Sequence, residues 1–304
     1  MNNFLFNKSL IIGVGLIGSS LARGLKNKKL SRLVFGYDND NNVKKKCMDL
    51  KIVDSMLDTL DLIEEIDLVV LCTPLSCYRN ILSKITPLIK KPCIITDVGS
   101  TKANVIKDFE NLKYNKLLNF VPGHPIAGLE KSGPEYGFED LFKNRYCILT
   151  PQNKDDQSVK KVSKMWENLG MIIEIMNAER HDRVLAMTSH IPQLIAYSIV
   201  ATTTELEKNI KDEVIKYSAA GFRDFTRLAG SDPIMWRDIY ILNKEAILEM
   251  LGRFSEDLSS LQKAIRNEDK NLLESTFKAT REIRKEIEKA GQAGSFDPRE
   301  KIIK

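Results

Sequence analysis

His124, one of only three histidines in the chain, sits between Gly123 and Pro125 in NFVPGHPIAGLEKSG, Asn119 to Gly133. Two prolines and three glycines in that stretch describe a fixed, irregular loop, and rigid scaffolds place their chemistry on such loops. An imidazole titrates near neutrality, so a neutral one held there is a candidate proton acceptor. A buried histidine satisfied by a backbone carbonyl is the other reading. Residue type and position alone leave both open.

A second constellation is GVGLIG, with Gly13, Gly15 and Gly18 after the apolar run SLII. In a dinucleotide-binding turn the first glycine allows the tight bend, the second lets a pyrophosphate approach, and the third permits helix–strand contact. The helix that opens there, beginning with Leu16 and Ile17, would offer free amides and its positive dipole end to phosphates. The next apolar run, RLVFGYD, ends at Asp38, twenty residues past Gly18, where a ribose hydroxyl contact is expected. Asp38 would repel a 2′-phosphate and no arginine follows it directly, which favours NAD over NADP. Asp38 could instead be a solvated strand-end acid. Thr73-Pro74 and the stretch Asp97 to Lys102 (DVGSTK) each follow an apolar run. Ligands in open α/β sheets lie beyond such strand ends, although both stretches could be simple caps.

These residues need a scaffold. SLIIGV, RLVFGYD, DLVVLCTP, CIITDVG, LNFVPGHP and RYCILTP are short apolar runs separated by amphipathic segments. Strand then helix, repeated, implies α/β architecture: a Rossmann-type doubly wound sheet. SVKKVSKMWENLG followed by MIIEIM is expected to add one more unit to the same sheet. Residues 1–176 are therefore read as a dinucleotide-binding domain. Residues 177–304 are read as an all-α domain for substrate binding and dimerisation. Ser231-Asp232-Pro233 is a helix start. From Ile234 to Leu261 apolar residues recur at three- and four-residue steps, implying one helix of about seven turns. A second copy of the chain would cover that stripe, giving a homodimer.

Composition narrows the class. Hydrophobic content of 43% with 29% charged residues is that of a globular chain with a core. A net charge of +5 without long like-charge blocks argues against nucleic acid. Five cysteines with no CxxC pair read as reduced thiols, with no metal site expected. No leader and no apolar run near the roughly 20 residues that span a bilayer are evident. The expectation is a soluble, cytoplasmic protein with no membrane contact.

GVGLIGSSLA, TDVGSTK, PGHPIAGLEKSG, HDRVLAMTSHIPQ and GFRDFTRLAGSDPIMWRDI occur in this order, within a resemblance that covers residues 8–265. Together they resemble the prephenate dehydrogenase family, which includes the arogenate and cyclohexadienyl dehydrogenases of tyrosine biosynthesis. The resemblance implies oxidative decarboxylation of prephenate to 4-hydroxyphenylpyruvate, with hydride transfer to NAD. Arogenate is the alternative substrate. It implies that His124 accepts the proton of the ring hydroxyl and that Ser100, which could also cap a helix, orients that histidine and the nicotinamide. It further implies that His190 holds substrate, that Arg227 binds a carboxylate and that Trp236 lines the pocket. Glu130 and Asp182 would gate the pocket by pairing with the arginine region, unless they are surface charges. Tyr217 to Gly221 would reach the neighbouring subunit's pocket. Arg223 is read as a structural ion-pair partner and His181 as a helix-start residue. Roughly forty residues follow the resemblance, too few for a regulatory domain, so tyrosine inhibition is expected to be competitive. The rivals are a β-hydroxyacid dehydrogenase, disfavoured because HDRVLAMTSHIPQ offers no lysine base, and a non-catalytic NAD-binding regulator.

Overall fold

The computed structural model describes residues 4–63, 65–111, 117–129, 131–154, 156–206 and 208–290. Strands and helices alternate through the first part: β1 (Phe6–Ile12), α1 (Leu16–Asn27), β2 (Ser31–Tyr37), α2 (Asn41–Asp49), β3 (Ser55–Met56), β4 (Leu68–Leu71), α3 (Tyr78–Ile85), β5 (Cys93–Asp97), α4 (Ala103–Glu110) and β6 (Leu118–Val121). The six strands form one parallel sheet in the order β3-β2-β1-β4-β5-β6. β4 and β5 are buried at every position, as expected of central strands covered on both faces. The chain winds outward from β1 in one direction and from β4 in the other. A crevice therefore opens beyond the carboxyl ends of β1 and β4, the usual place for a ligand in such sheets.

Two expectations change here. The runs around Tyr146 and Ile172 do not extend this sheet. With β7 (Gly123–Pro125) they form a second, three-stranded one, in which β8 (Tyr146–Leu149) lies between β7 and β9 (Ile172–Ile175). And His124 is not in an irregular loop: it pairs with Ile148 across the antiparallel β7–β8 ladder. The cause is Pro122. Proline has no N–H for a ladder, so the run from Leu118 to Pro125 breaks there and its second half joins the small sheet. The Pro122 carbonyl accepts a hydrogen bond from the Thr150 amide at 3.0 Å. Helix α5 (Gln157–Asn168) anchors this sheet to the core through Val162, Met165 and Trp166, all fully buried.

The rest is helical: α6 (Ala178–Leu185), a π-turn over Ala186–His190, α7 (Ile191–Thr204), α8 (Lys208–Lys216), α9 (Ala220–Thr226), a 3₁₀ turn over Arg227–Gly230, α10 (Pro233–Leu242), α11 (Lys244–Arg266) and α12 (Lys270–Lys289). Asp232 caps α10 by accepting from the Met235 amide at 2.8 Å, in agreement with the Ser231-Asp232-Pro233 signal. The apolar stripe from Ile234 is not one helix, because α10 ends at Leu242 and α11 begins at Lys244. Between them stands Asn243, a buried polar side chain with partners of its own. The expectation of no span-length apolar segment also fails. Within the continuous helix Ala178–Thr203 an 18-residue window reaches a mean hydropathy of 1.4, and a third of that window is buried within the chain. The described residues divide into two compact units between Ile247 and Leu248. Everything in the site below belongs to the first.

Candidate active site

The glycine turn is shaped as a phosphate cradle. Gly13 has φ +89°, and a Cβ there would meet the Cys72 carbonyl at 2.8 Å. A Cβ on Gly18 would collide with the Gly13 carbonyl oxygen. A Cβ on Gly15, by contrast, would meet nothing within 4 Å, so the α1 N-terminus opens onto free space. The Asp38 carboxylate accepts hydrogen bonds from the Val14 amide at 2.9 Å and the Asp40 amide at 3.0 Å. That fixes it beside the turn with lone pairs to spare. Gly13, Gly15, Asp38, Thr73 and Pro74 all line one cavity of about 640 Å³, whose wall also carries Asp58 and Asp61. Leu16 and Ile17 turn their side chains into or against the core, leaving only their backbone for a ligand.

Two strand spacings from β1, roughly 10 Å, the carboxyl end of β5 holds a second cluster. Asp97 is fully buried, accepting from the Gly99 and Gly123 amides at 2.9 and 3.0 Å and pairing with the Lys102 ammonium. Lys102, also fully buried, donates in addition to the Gly123 carbonyl at 2.7 Å. Burial lowers its pKa, opposed by Asp97. A lysine and a carboxylate thus clamp both backbone groups of the residue preceding His124.

His124 Nδ1 lies 2.8 Å from His181 Nε2, and His181 Nδ1 lies 2.7 Å from Asp182 Oδ1. The same carboxylate accepts from the Lys102 amide at 2.8 Å and the Ala103 amide at 3.0 Å, capping α4 from a distant helix. His124 is held well below the ordinary imidazole pKa, by burial first and then by His181, Lys102 and His190. His181 is also lowered, burial outweighing the neighbouring Asp182. His124 therefore stays uncharged at neutral pH.

His181 and His190 are nine residues apart. At about 3.6 residues per turn that spacing places them on opposite faces of a regular α-helix. Both are nonetheless buried, at 0% and 1% exposure. The π-turn at Ala186–His190 explains this, since its wider turn acts as one inserted residue and swings His190 back toward the His181 face. Asn243 secures the result: its Nδ2 donates to the Asp182 carbonyl at 2.9 Å and lies 3.2 Å from His190 Nδ1. His190 Nδ1 must then accept, so its proton sits on Nε2. That Nε2 and the Trp236 Nε1 are buried donors without a partner among the described residues, on rings whose centroids are 6.0 Å apart. Burial pushes the His190 pKa down to about 4.

Known proteins match the chain over most of its length. Residues 21–175 fit the model of the prephenate dehydrogenase nucleotide-binding domain, and residues 177–279 fit that of the prephenate dehydrogenase dimerization domain. The chain belongs to the prephenate dehydrogenase family. It is 39% identical to the cyclohexadienyl dehydrogenase of Zymomonas mobilis, over 92% of this chain and 95% of that one. It is 33% identical to the prephenate dehydrogenase of Bacillus subtilis, over 90% and 74%. The structure of the Aquifex aeolicus prephenate dehydrogenase with hydroxyphenyl propionate and NAD+ superposes with a TM-score of 0.85 at 36% identity, covering 92% of this chain and 98% of that one.

Within this family frame the remaining candidate residues fall as follows. Ser100 is half-buried in the turn before α4. It does not cap that helix, a role Asp182 takes instead. Asp182 is accordingly no gate on the arginine region: it is 4% exposed and fully engaged with α4 and His181. His181 is no mere helix-start residue, since Asn177 caps α6 and His181 touches His124. Gly221 and Arg227 are exposed, on α9 and on the turn after it. The carbonyl of Leu228, next to Arg227, accepts from Gln193 of α7 at 2.7 Å, which ties that turn to the helix carrying His190. Glu130 lies outside the described residues. Lys102, His181 and Asn243 are the contributors that sequence reasoning passed over. The HD pair at the head of an apolar helix, and an asparagine interrupting an apolar stripe, were the available signals.

Proposed function

We propose that the protein catalyses the NAD-dependent oxidative decarboxylation of prephenate to 4-hydroxyphenylpyruvate, in the cytoplasm and as a homodimer. The observation that carries this reading is a neutral, buried His124 whose preceding residue, Gly123, is held by Asp97 at the carboxyl end of β5, in the same parallel sheet whose β1 and β4 border the glycine turn. NAD fits the residues present: Gly13 and Gly15 would leave room for its pyrophosphate, Gly18 lets α1 pack against the turn, and Asp38 with Thr73 and Pro74 would border its ribose and nicotinamide. Bound NAD would supply the hydride acceptor for the ring carbon that bears the hydroxyl. Asp38, Asp58 and Asp61 along the cavity wall disfavour an added 2′-phosphate by charge.

His124 takes the proton of the substrate's ring hydroxyl, which its depressed pKa permits because the ring is uncharged before the reaction. Ser100, from the turn before α4, orients that histidine and the nicotinamide. The unpartnered N–H groups of His190 and Trp236 suit the oxygens of an anionic substrate, whose burial there would satisfy both donors. Arg227 binds a carboxylate through its guanidinium fork. Decarboxylation then follows from aromatisation of the ring, with no further acid or base required.

Arogenate, which carries an amino group where prephenate has a keto group, is the competing substrate. Measuring kcat/KM for NADH or NADPH formation with each substrate and each cofactor tests the reading. Prephenate with NAD is expected to give the highest value; a preference for arogenate or for NADP would overturn that part of the proposal.

A further inference from the structure

We infer that His181 and Asp182 form a positioning dyad that locks His124 in the one neutral tautomer able to act as a base through Nε2. The inference deepens the proposed function and rests on His124 being the proton acceptor.

The tautomer follows from the count of protons along a chain of three buried side chains. The Asp182 carboxylate already receives two backbone N–H groups, from Lys102 and Ala103. Ionised, it can only accept, so His181 Nδ1 at 2.7 Å must donate to it. Neutral His181 then has a bare lone pair on Nε2. His124 Nδ1, 2.8 Å from that atom, must carry the proton and donate. The remaining nitrogen of His124, Nε2, is left as the lone-pair site. It makes no hydrogen bond among the described residues, and His124 as a whole residue keeps 9% of its surface exposed. Each link is buried, at 0% exposure for His181 and 4% for Asp182, so water does not offer an alternative set of partners.

The geometry also explains why two residues so far from the sheet are needed. The backbone on either side of His124 is fixed by the β7–β8 ladder and by Asp97 and Lys102 on Gly123. None of these touches the imidazole, which could still turn over or exchange tautomers. The dyad supplies the missing constraint. Because the same carboxylate caps α4, it also ties the Ser100 turn to the ring. Wrong-tautomer histidines are known to cost up to about 10⁴-fold in turnover in hydrolytic triads, so a large effect is expected from a residue that does not itself meet the substrate.

The test combines spectroscopy with kinetics on the full chain. With only three histidines, ¹⁵N-labelled imidazoles can be assigned by single substitution. In the unliganded protein at pH 7.5, His124 should show a protonated Nδ1 and a pyridine-type Nε2. His181→Leu should convert His124 to a tautomer mixture and lower kcat by about 10²-fold, within the range general-base catalysis spans, with the dissociation constant for NAD within twofold of the parent. His181→Gln, whose amide oxygen can accept from Nδ1, should restore at least a tenth of kcat and the single tautomer. A parent protein with the His124 proton on Nε2, or a His181→Leu variant with undiminished kcat, overturns the inference. If the spectra come out as expected while neither prephenate nor arogenate is turned over, the dyad stands and the proposed function fails.

Discussion

At the scale of single residues, the account turns on charge states set by burial. His124 is held uncharged, so the acid limb of kcat/KM should lie below the ordinary imidazole value of about 6.5. A limb at or above that pH contradicts a pre-neutralised base. The same burial leaves a thermodynamic trace. All three histidines have lowered pKa values in the folded chain. The unfolded chain therefore binds more protons below about pH 6.5, and stability present above that pH drains away as pH falls. For His190, lowered to about 4, the loss between pH 6.5 and 4 is about 3 kcal/mol. Urea midpoints should fall over that window in the parent protein, and fall less in His190→Gln. Asp38 makes a separate claim: Asp38→Ala should raise kcat/KM with NADP relative to NAD, and an unchanged ratio would remove Asp38 from cofactor selection.

At the scale of elements, the decisive devices are interruptions of regular structure. Pro122 hands His124 from one sheet to another, the π-turn re-aims His190, and Asn243 splits a long apolar helix to reach back to His190 and the Asp182 carbonyl. Asn243→Ala leaves His190 Nδ1 without its donor and the Asp182 carbonyl with the Ala186 amide alone, and should cost about 1–3 kcal/mol in urea unfolding. A cost below about 0.5 kcal/mol would mean these bonds are idle. The alternation of apolar runs was enough to read the parallel sheet and the glycine turn, because buried central strands and a phosphate cradle each leave a local pattern. The second sheet was not legible. RYCILTP and MIIEIM look like any other buried strands, and only the tertiary break at Pro122 decides which ladder they join. The histidine relay was half legible. His124 stood out by its flanking glycine and proline, whereas His181 and His190 sit nine residues apart, a spacing that argues against a common face until the π-turn is known. Lys102 was quoted within a motif without a role, since nothing local announces that its ammonium folds back beneath Gly123.

At the scale of the whole molecule, helix α12 poses the plainest problem of covering. None of its described residues is buried, yet Phe277 and Ile283 are 57% and 56% exposed. Apolar faces of this kind call for a second copy, in keeping with the dimerization domain that the family model describes over residues 177–279. Sedimentation at micromolar concentration should give a dimer, and the double variant Phe277→Glu/Ile283→Glu should shift it toward monomer. A monomeric parent protein would contradict the homodimer. The buried Asp97–Lys102 ion pair has a global consequence too. Lys102→Met would strand the buried Asp97 charge, a loss of about 3–5 kcal/mol readable as a lowered thermal midpoint.

The central claim is that a neutral imidazole at position 124 performs the proton transfer without holding the cofactor. His124→Asn, assayed for NADH formation from prephenate alongside calorimetric NAD binding, tests it most directly. The account predicts that kcat drops by about 10²–10⁴-fold while the NAD dissociation constant stays within twofold. Turnover that survives the substitution, or NAD binding lost along with it, would contradict it.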